Sequence, residues 1–194
     1  MTTCPLLANL CVGLALVGVL GLPRLGAAQV DAGPYVPTPE TVVEAMLRLA
    51  SVGPKDFLID LGSGDGRIVI AAAKKFGARG FGVDIDDTLV ALSNRAAARE
   101  GVGERVKFYR QDLFETAIGQ ATVVTVYLLP HTVNMLRDKL LRELKPGTRI
   151  VSHDYPIDGW VPDRTISMDV QDKINATGVP TTYLYLYVVP RQAR

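Results

Sequence analysis

The chain has 194 residues, 48% of them apolar, with 21 Lys and Arg against 20 Asp and Glu. This length suits one domain of ordinary size, and a balanced charge with no basic block or face argues against nucleic acid as a partner. Both cysteines, Cys4 and Cys11, lie near the N-terminus, so the rest has no disulfide, thiolate nucleophile or cysteine metal site, and two histidines, His131 and His153, are too few for a zinc centre.

Leu6 to Leu22 is almost wholly apolar and is followed by Arg24, Gly26 and Ala28. Small residues there suit cleavage of a signal peptide near Ala28, but Met1 to Pro5 lacks the usual positive n-region. The apolar run is at the short end of the roughly 17–25 residues that span a bilayer. Arg24 on its C-terminal side places the remainder of the chain in the cytoplasm. The expectation for residues 1–28 is an uncleaved membrane anchor with a cytoplasmic domain; the alternative is a cleaved signal peptide and an exported domain. Residues 29–40 hold Pro34, Pro37 and Pro39 and read as an extended linker. Residues 41–194 read as the folded domain.

Thr41 to Ala50 repeats apolar residues at Val42, Val43, Met46 and Leu49, an amphipathic helix stopped by Gly53-Pro54. The run Asp56-Phe57-Leu58-Ile59-Asp60-Leu61 then reads as a buried strand. Gly62, Gly64 and Gly66 follow at alternate positions, and a helix runs from Ile68 to Phe76, ending at Gly77. Glycines in such a turn let backbone amides approach a ligand that a Cβ would push away, and the helix N-terminus adds partial positive charge. A dinucleotide fingerprint is G-x-G-x-x-G. Here the third glycine position is Arg67, and Asp60 and Asp65 would repel a pyrophosphate. S-adenosylmethionine carries an ammonium and a sulfonium and no phosphate, so acidic residues around the turn suit it. On this motif the chain resembles the class I, seven-stranded S-adenosylmethionine-dependent methyltransferases, whose first motif is an acidic residue followed by G-x-G-x-G. The resemblance spans about residues 40–190. It implies a Rossmann-like α/β fold: a mostly parallel seven-stranded sheet ending in an antiparallel hairpin, with helices on both faces. It also implies S-adenosylmethionine bound at Asp60, Gly62, Ser63, Gly64 and Gly66, and no metal.

Gly80 to Ile85 is the second strand. It ends in Asp84, about 20 positions past the glycines, where such folds hold ribose hydroxyls; Asp86 caps the next helix, Thr88 to Glu100. Val106 to Tyr109 is a third strand, and Asp112 after it matches the family's acceptor for the adenine amine, with Leu113 or Ile85 against the ring. Ala121 to Leu129 is the most β-like run, a buried central strand. Its end, Tyr127-Leu128-Leu129-Pro130, should face the transferred methyl, because ligands in open α/β sheets bind beyond the carboxyl ends of strands. Enzymes that methylate amino groups of nucleic acid bases carry Asn/Asp-Pro-Pro-Tyr there, and this chain does not. A helix from Thr132 to Leu144 and a fifth strand from Thr148 to Ser152 lead to His153 and Asp154, at a strand end facing the same cleft, where a neutral histidine could accept a proton from a substrate ammonium. Trp160 packs the loop. Thr165 to Ile174 and Thr181 to Val189 pair as a hairpin, whose Tyr183, Tyr185 and Tyr187 form a packing or solvent face.

Pro34-Tyr35 followed by Thr38-Pro39, the Asp60–Arg67 motif, the strand ending Leu128-Leu129-Pro130 and the apolar leader resemble a narrower group: membrane-anchored protein-lysine methyltransferases acting on the adenine nucleotide translocase and the ATP synthase c-ring protein, and their bacterial relatives. In that group the segment before the first domain helix folds over the cofactor. The resemblance implies N-methylation of lysine in a protein, one embedded in a membrane included, and Tyr35, Thr38, Tyr127 and His153 as catalytic candidates. S-adenosylmethionine is made and kept inside cells, so an exported domain would lack its cofactor, which favours a cytoplasmic domain. A small-molecule or lipid methyltransferase of the same fold, a non-catalytic cofactor-binding module and a nicotinamide-dependent oxidoreductase are the alternatives; Arg67 and the acidic turn disfavour the last.

Overall fold

The structure, a computed structural model, describes residues 1, 35–171 and 178–191. The expected anchor or signal peptide at 1–28 (Met1 apart), the linker before Tyr35 and the strand end expected at Ile174 lie outside the described residues. Among the described residues no helix is long and apolar enough to cross a membrane.

Strands and helices alternate through most of the chain: α1 (Glu40–Leu49), β1 (Phe57–Leu61), α2 (Arg67–Phe76), β2 (Arg79–Asp84), α3 (Asp87–Arg99), β3 (Val106–Arg110), β4 (Val123–Val126), α4 (Pro130–Glu143), β5 (Arg149–His153), β6 (Arg164–Asp169) and β7 (Thr181–Val188). The seven strands of the described residues form one sheet in the order β3-β2-β1-β4-β5-β7-β6. The first five pair in parallel, and β7 runs antiparallel to both β5 and β6. This is the mostly parallel sheet with an end hairpin that the sequence leads one to expect.

Side chains alternate between the faces of a strand, so β1, β4 and β5 each feed two apolar cores. Leu58, Val123 and Val151 join the core made with Met46 of α1, Val69 of α2 and Ala97 of α3. Ile59, Val124 and Ile150 join the core made with Val133, Leu136 and Leu140 of α4. Strand order reverses between β1 and β4, and a crevice opens at their carboxyl ends, where open α/β sheets bind ligands.

Two boundaries differ from the sequence reading, and both shape the crevice. β4 ends at Val126, not Leu129, and α4 starts at Pro130, whose fixed φ suits the first helical position. Tyr127-Leu128-Leu129 is therefore a connecting segment at the crevice. The tyrosines of β7 grade from exposed Tyr183 to fully buried Tyr187. The Tyr187 hydroxyl accepts the Ile157 N–H at 2.8 Å, and its ring lies 5.4 Å from that of Trp160, so the stripe is a packing face where the 155–160 loop covers it.

The β1–β2 contact sets a sharp steric limit. A Cβ on Gly80 would stand 1.9 Å from the Leu58 carbonyl oxygen, whereas one on Gly101 would meet open space at a φ of +71°. Gly80→Ala should cost at least about 3 kcal/mol of stability by chemical denaturation, and Gly101→Ala only about 1 kcal/mol, from its left-handed backbone. Equal costs would contradict this reading of the contact.

Candidate functional site

The turn after β1 is built differently from the sequence expectation. The amides of Gly62 and Ser63 both donate to the Val83 carbonyl, at 3.0 and 2.9 Å, and Gly66 donates to Ser63. Gly64 donates to Asp84 Oδ2 at 2.9 Å. These amides are committed within the protein and are not left for a ligand. The glycines are required for backbone conformation and close approach. All three have positive φ, and a Cβ would come within 2.6 Å of Leu128 at Gly62, of Tyr35 at Gly64, and of Phe108 and Ser93 at Gly66. Gly66 does not line the crevice. It supplies the tight helix–strand packing that the third glycine of a dinucleotide fingerprint provides, and so leaves position 67 open to arginine.

Above the turn lies a cavity of about 640 Å3 lined by Asp60, Gly62, Ser63 and Gly64 from the first motif, by Asp84 and Ile85 after β2, and by Asp112 and Leu113 after β3. Asp60 is 2% exposed. Its Oδ1 accepts from Thr125 Oγ1 at 2.7 Å, while its buried Oδ2 has no hydrogen-bond partner among the described residues. Burial, together with repulsion from Asp84 and Asp65 and against the Thr125 bond, pushes its carboxyl up to about 7. A buried carboxylate oxygen facing a cavity without a partner is a site for a cationic group. Asp84 is anchored by the Gly64 and Asp86 amides, which fixes its carboxylate while leaving lone pairs for ribose hydroxyls. Asp112 Oδ1 accepts the Phe114 amide at 2.8 Å, so this residue both caps a turn and reaches the cavity. Asp86 caps α3 through the Thr88 and Leu89 amides.

The cavity is also lined by Tyr35, Thr38, Tyr127, Leu128, Leu129 and Tyr155. The segment before α1 is tied down by Arg67, a residue the sequence reading used only to exclude a dinucleotide. Arg67 grips the Asp65 carboxylate through Nε at 2.9 Å and Nη2 at 2.6 Å, and its Nη1 donates to the Thr38 carbonyl at 2.8 Å. Burial alone would raise the Asp65 carboxyl; the Arg67 guanidinium holds it below its ordinary value. Tyr35, 47% exposed, lays its ring against Gly64, and burial followed by the Asp65 charge raises its hydroxyl. Thr38 is buried.

His153 does not reach the cavity. It is 1% exposed, with Nε2 2.7 Å from Thr182 Oγ1 and its ring 3.9 Å from that of Tyr127. It supports the residue that lines the cavity. Phe114 and Tyr155 are lining aromatics that the sequence analysis did not single out; the rule that strand ends face the ligand, applied two residues past His153, would have found Tyr155.

The donor set fits S-adenosylmethionine. The cavity presents Asp60, Asp84 and Asp112 as acceptors, and Arg67 at its edge is committed to Asp65 and Thr38. A cationic group finds the open oxygen of Asp60, and a pyrophosphate finds only repulsion.

Known proteins agree with this assignment. The family model of the ANTKMT methyltransferase domain matches residues 60–164. A protein-lysine N-methyltransferase of Saccharolobus islandicus is 44% identical over 80% of this chain and 93% of its own length. The human lysine N-methyltransferase named for the C-subunit of ATP synthase is 34% identical over 78% of this chain, which spans only 60% of that protein. The crystal structure of an RNA methyltransferase from Salinibacter ruber with S-adenosyl-L-homocysteine superposes with a TM-score of 0.74 at 45% identity, covering 82% of this chain and 97% of that one. A geranyl diphosphate methyltransferase bound to S-adenosylmethionine, at 16% identity and a TM-score of 0.63 over 77% of this chain and 84% of that one, shares the fold.

Two expectations arise from the site. A carboxyl raised to about 7 keeps its proton at lower pH and then cannot pair with a cation. The dissociation constant of S-adenosylmethionine should therefore rise about tenfold per pH unit below 7, with about one proton released on binding at pH 6. Calorimetry in buffers of different ionisation enthalpy reads both, and Asp60→Asn should abolish both. Arg67→Ala frees the Tyr35–Pro39 segment and should speed dissociation of S-adenosylhomocysteine about tenfold or more in stopped-flow displacement; an unchanged rate would mean that Arg67 does not hold this segment in place over the ligand.

Proposed function

The chain belongs to the ANTKMT methyltransferase family, and on that premise we propose that it N-methylates lysine side chains of a protein, with the residues around its cavity divided between holding the cofactor and receiving the amine. Its cofactor is S-adenosylmethionine. When bound, this cofactor supplies a methyl on a sulfonium, a good leaving group, so the protein contributes mostly orientation and water exclusion.

Asp60 would pair with the amino-acid ammonium, Asp84 would accept from the ribose hydroxyls, and Asp112 would accept from the adenine amine, with Ile85 and Leu113 against the ring. The observation that carries the choice of lysine is the aromatic and apolar part of the lining. Tyr35, Tyr127 and Tyr155 with Leu128 and Leu129 form an aromatic and apolar stretch of the lining, with Asp65 beside Tyr35 and Asp154 behind Tyr127. Such a stretch strips water from a long aliphatic amine and lowers its pKa by desolvation. The attacking nitrogen needs its lone pair, and its proton can leave to water before the amine enters, so no dedicated base is required. His153, behind Tyr127, is not asked to take the proton.

The acceptor is a membrane protein. Supporting this are the relatives named for the C-subunit of ATP synthase and the apolar run from Leu6 to Leu22, which we read as an anchor that leaves the domain in the cytoplasm beside its cofactor supply. The Salinibacter relative is described as an RNA methyltransferase. Against RNA here stand the charge balance and the acidic cavity. Only Arg24 among the first 28 residues is charged, leaving 20 basic residues to offset 20 acidic ones, and tight RNA binding draws on an excess of basic groups.

The test is methyl transfer from labelled S-adenosylmethionine by the full chain into membrane protein, RNA and lipid fractions, with digestion and mass spectrometry of the labelled product. Methyl-lysine in protein, reduced at least about tenfold by the Tyr35→Phe, Tyr127→Phe pair, is the expected result. Label in RNA or lipid, or full turnover by the pair, would overturn the assignment.

A further inference from the structure

The residue after β5 has an unusual backbone. Asp154 is a non-glycine with a φ of +62°, a left-handed conformation that costs free energy and persists only where the surroundings hold it. Three bonds to β7 hold it. Its own amide donates to the Tyr183 carbonyl at 2.7 Å, and its Oδ1 accepts from Thr182 Oγ1 at 2.8 Å and from the Tyr183 amide at 3.2 Å. The turn brings the carboxylate beside His153, whose ring packs on that of Tyr127. Its Oδ2 lies 3.6 Å from His153 Nε2, and the group stands beside the Tyr127 hydroxyl, which burial and then the Asp154 charge push up to about 12. Tyr127 lines the cavity, and its ring rests on His153 at 3.9 Å between centroids. Its ring position is thus set from below by His153, and a carboxylate waits at its hydroxyl.

We propose that Asp154 is a positioning residue: it takes the hydrogen of the Tyr127 hydroxyl, so that the Tyr127 oxygen turns only lone pairs toward the cavity and accepts an N–H from the incoming amine. This rests on the proposed lysine activity and extends it to the choice and count of methyls. A hydroxyl has one hydrogen and two acceptor lone pairs, and a carboxylate outcompetes neutral acceptors for that hydrogen. An amine that donates one N–H to Tyr127 has its nitrogen lone pair held in a fixed direction, and a carboxylate nucleophile, with no hydrogen to give, is rejected. Neutral lysine has two N–H bonds, monomethyl-lysine one and dimethyl-lysine none. The Tyr127 contact therefore serves the first two transfers and cannot serve the third.

The experiment measures each transfer separately by mass spectrometry of a protein fraction methylated by the full chain, for Asp154→Asn, Asp154→Gly, Tyr127→Phe and the Tyr127→Phe, Asp154→Gly pair. Asp154→Gly tolerates the left-handed backbone and guards against misfolding, and calorimetric binding of S-adenosylhomocysteine checks that each variant keeps its cofactor site. The first and second transfers should slow about tenfold in Asp154→Gly and in Tyr127→Phe, the third should not slow, and the pair should be no slower than either single variant. In protein carrying 13C-tyrosine, the Tyr127 Cζ resonance should move in Asp154→Asn at neutral pH. Equal slowing of all three transfers, additive effects in the pair, or an unmoved resonance would overturn the proposal. If the wild-type chain places no methyl on lysine, the functional reading fails by itself, and the Tyr127 resonance still decides whether Asp154 holds that hydroxyl.

Discussion

The site depends on one close junction, where the turn after β1 closes onto the end of β2. Two amides of the turn share the Val83 carbonyl and a third reaches the Asp84 carboxylate. That closeness is possible because the strands themselves have no side chain at key points: a Cβ on Gly82 would stand 2.4 Å from Ser63. Once the junction is made, Asp60 is buried with one oxygen facing the cavity, Asp84 is anchored at the same height, and Gly64 offers a flat seat for the Tyr35 ring. The acidic side of the cavity results from a backbone contact.

The cavity is divided chemically along the sheet. The β1, β2 and β3 ends bring carboxylates. The segment after β4 and the residues after β5 bring tyrosines and leucines. A cationic donor and a desolvated amine need such different environments side by side, since a carboxylate lining the path of the amine would favour its protonated, unreactive form; Asp154 stands behind Tyr127 and is not among the lining residues. The parallel strands supply the separation, because each strand end contributes to only one stretch of the crevice.

Much of this was legible in the sequence because the signals were local. The bounds of α2 and α3 are marked by Gly77 and by the Asp86 cap, and Asp84 is marked by its spacing from the glycines. The hairpin is marked by the alternation in Thr181–Val188. The rest depended on which strands are neighbours. Period-two alternation puts His153 and Asp154 on opposite sides of the chain, but only the pairing of β5 with β7 shows that His153 is sealed against Thr182 and that Asp154 turns back. The commitment of the glycine amides to Val83 depends likewise on the β1–β2 register. Arg67 looked like a missing glycine; its partner, the Thr38 carbonyl, is 29 positions away and carries no side-chain signal.

That last bond has a consequence for how the site tolerates change. Arg67 grips the main chain at position 38, not a side chain, so the latch is indifferent to which residue stands there as long as the chain takes the same path. Path is set by Pro37 and Pro39, whose rings fix φ on either side. Drift in sequence at Thr38 leaves the closure intact, whereas loss of either proline or of the guanidinium loosens it, and a lysine at position 67, with one ammonium in place of a forked plane, could not hold Asp65 and the carbonyl in the same geometry.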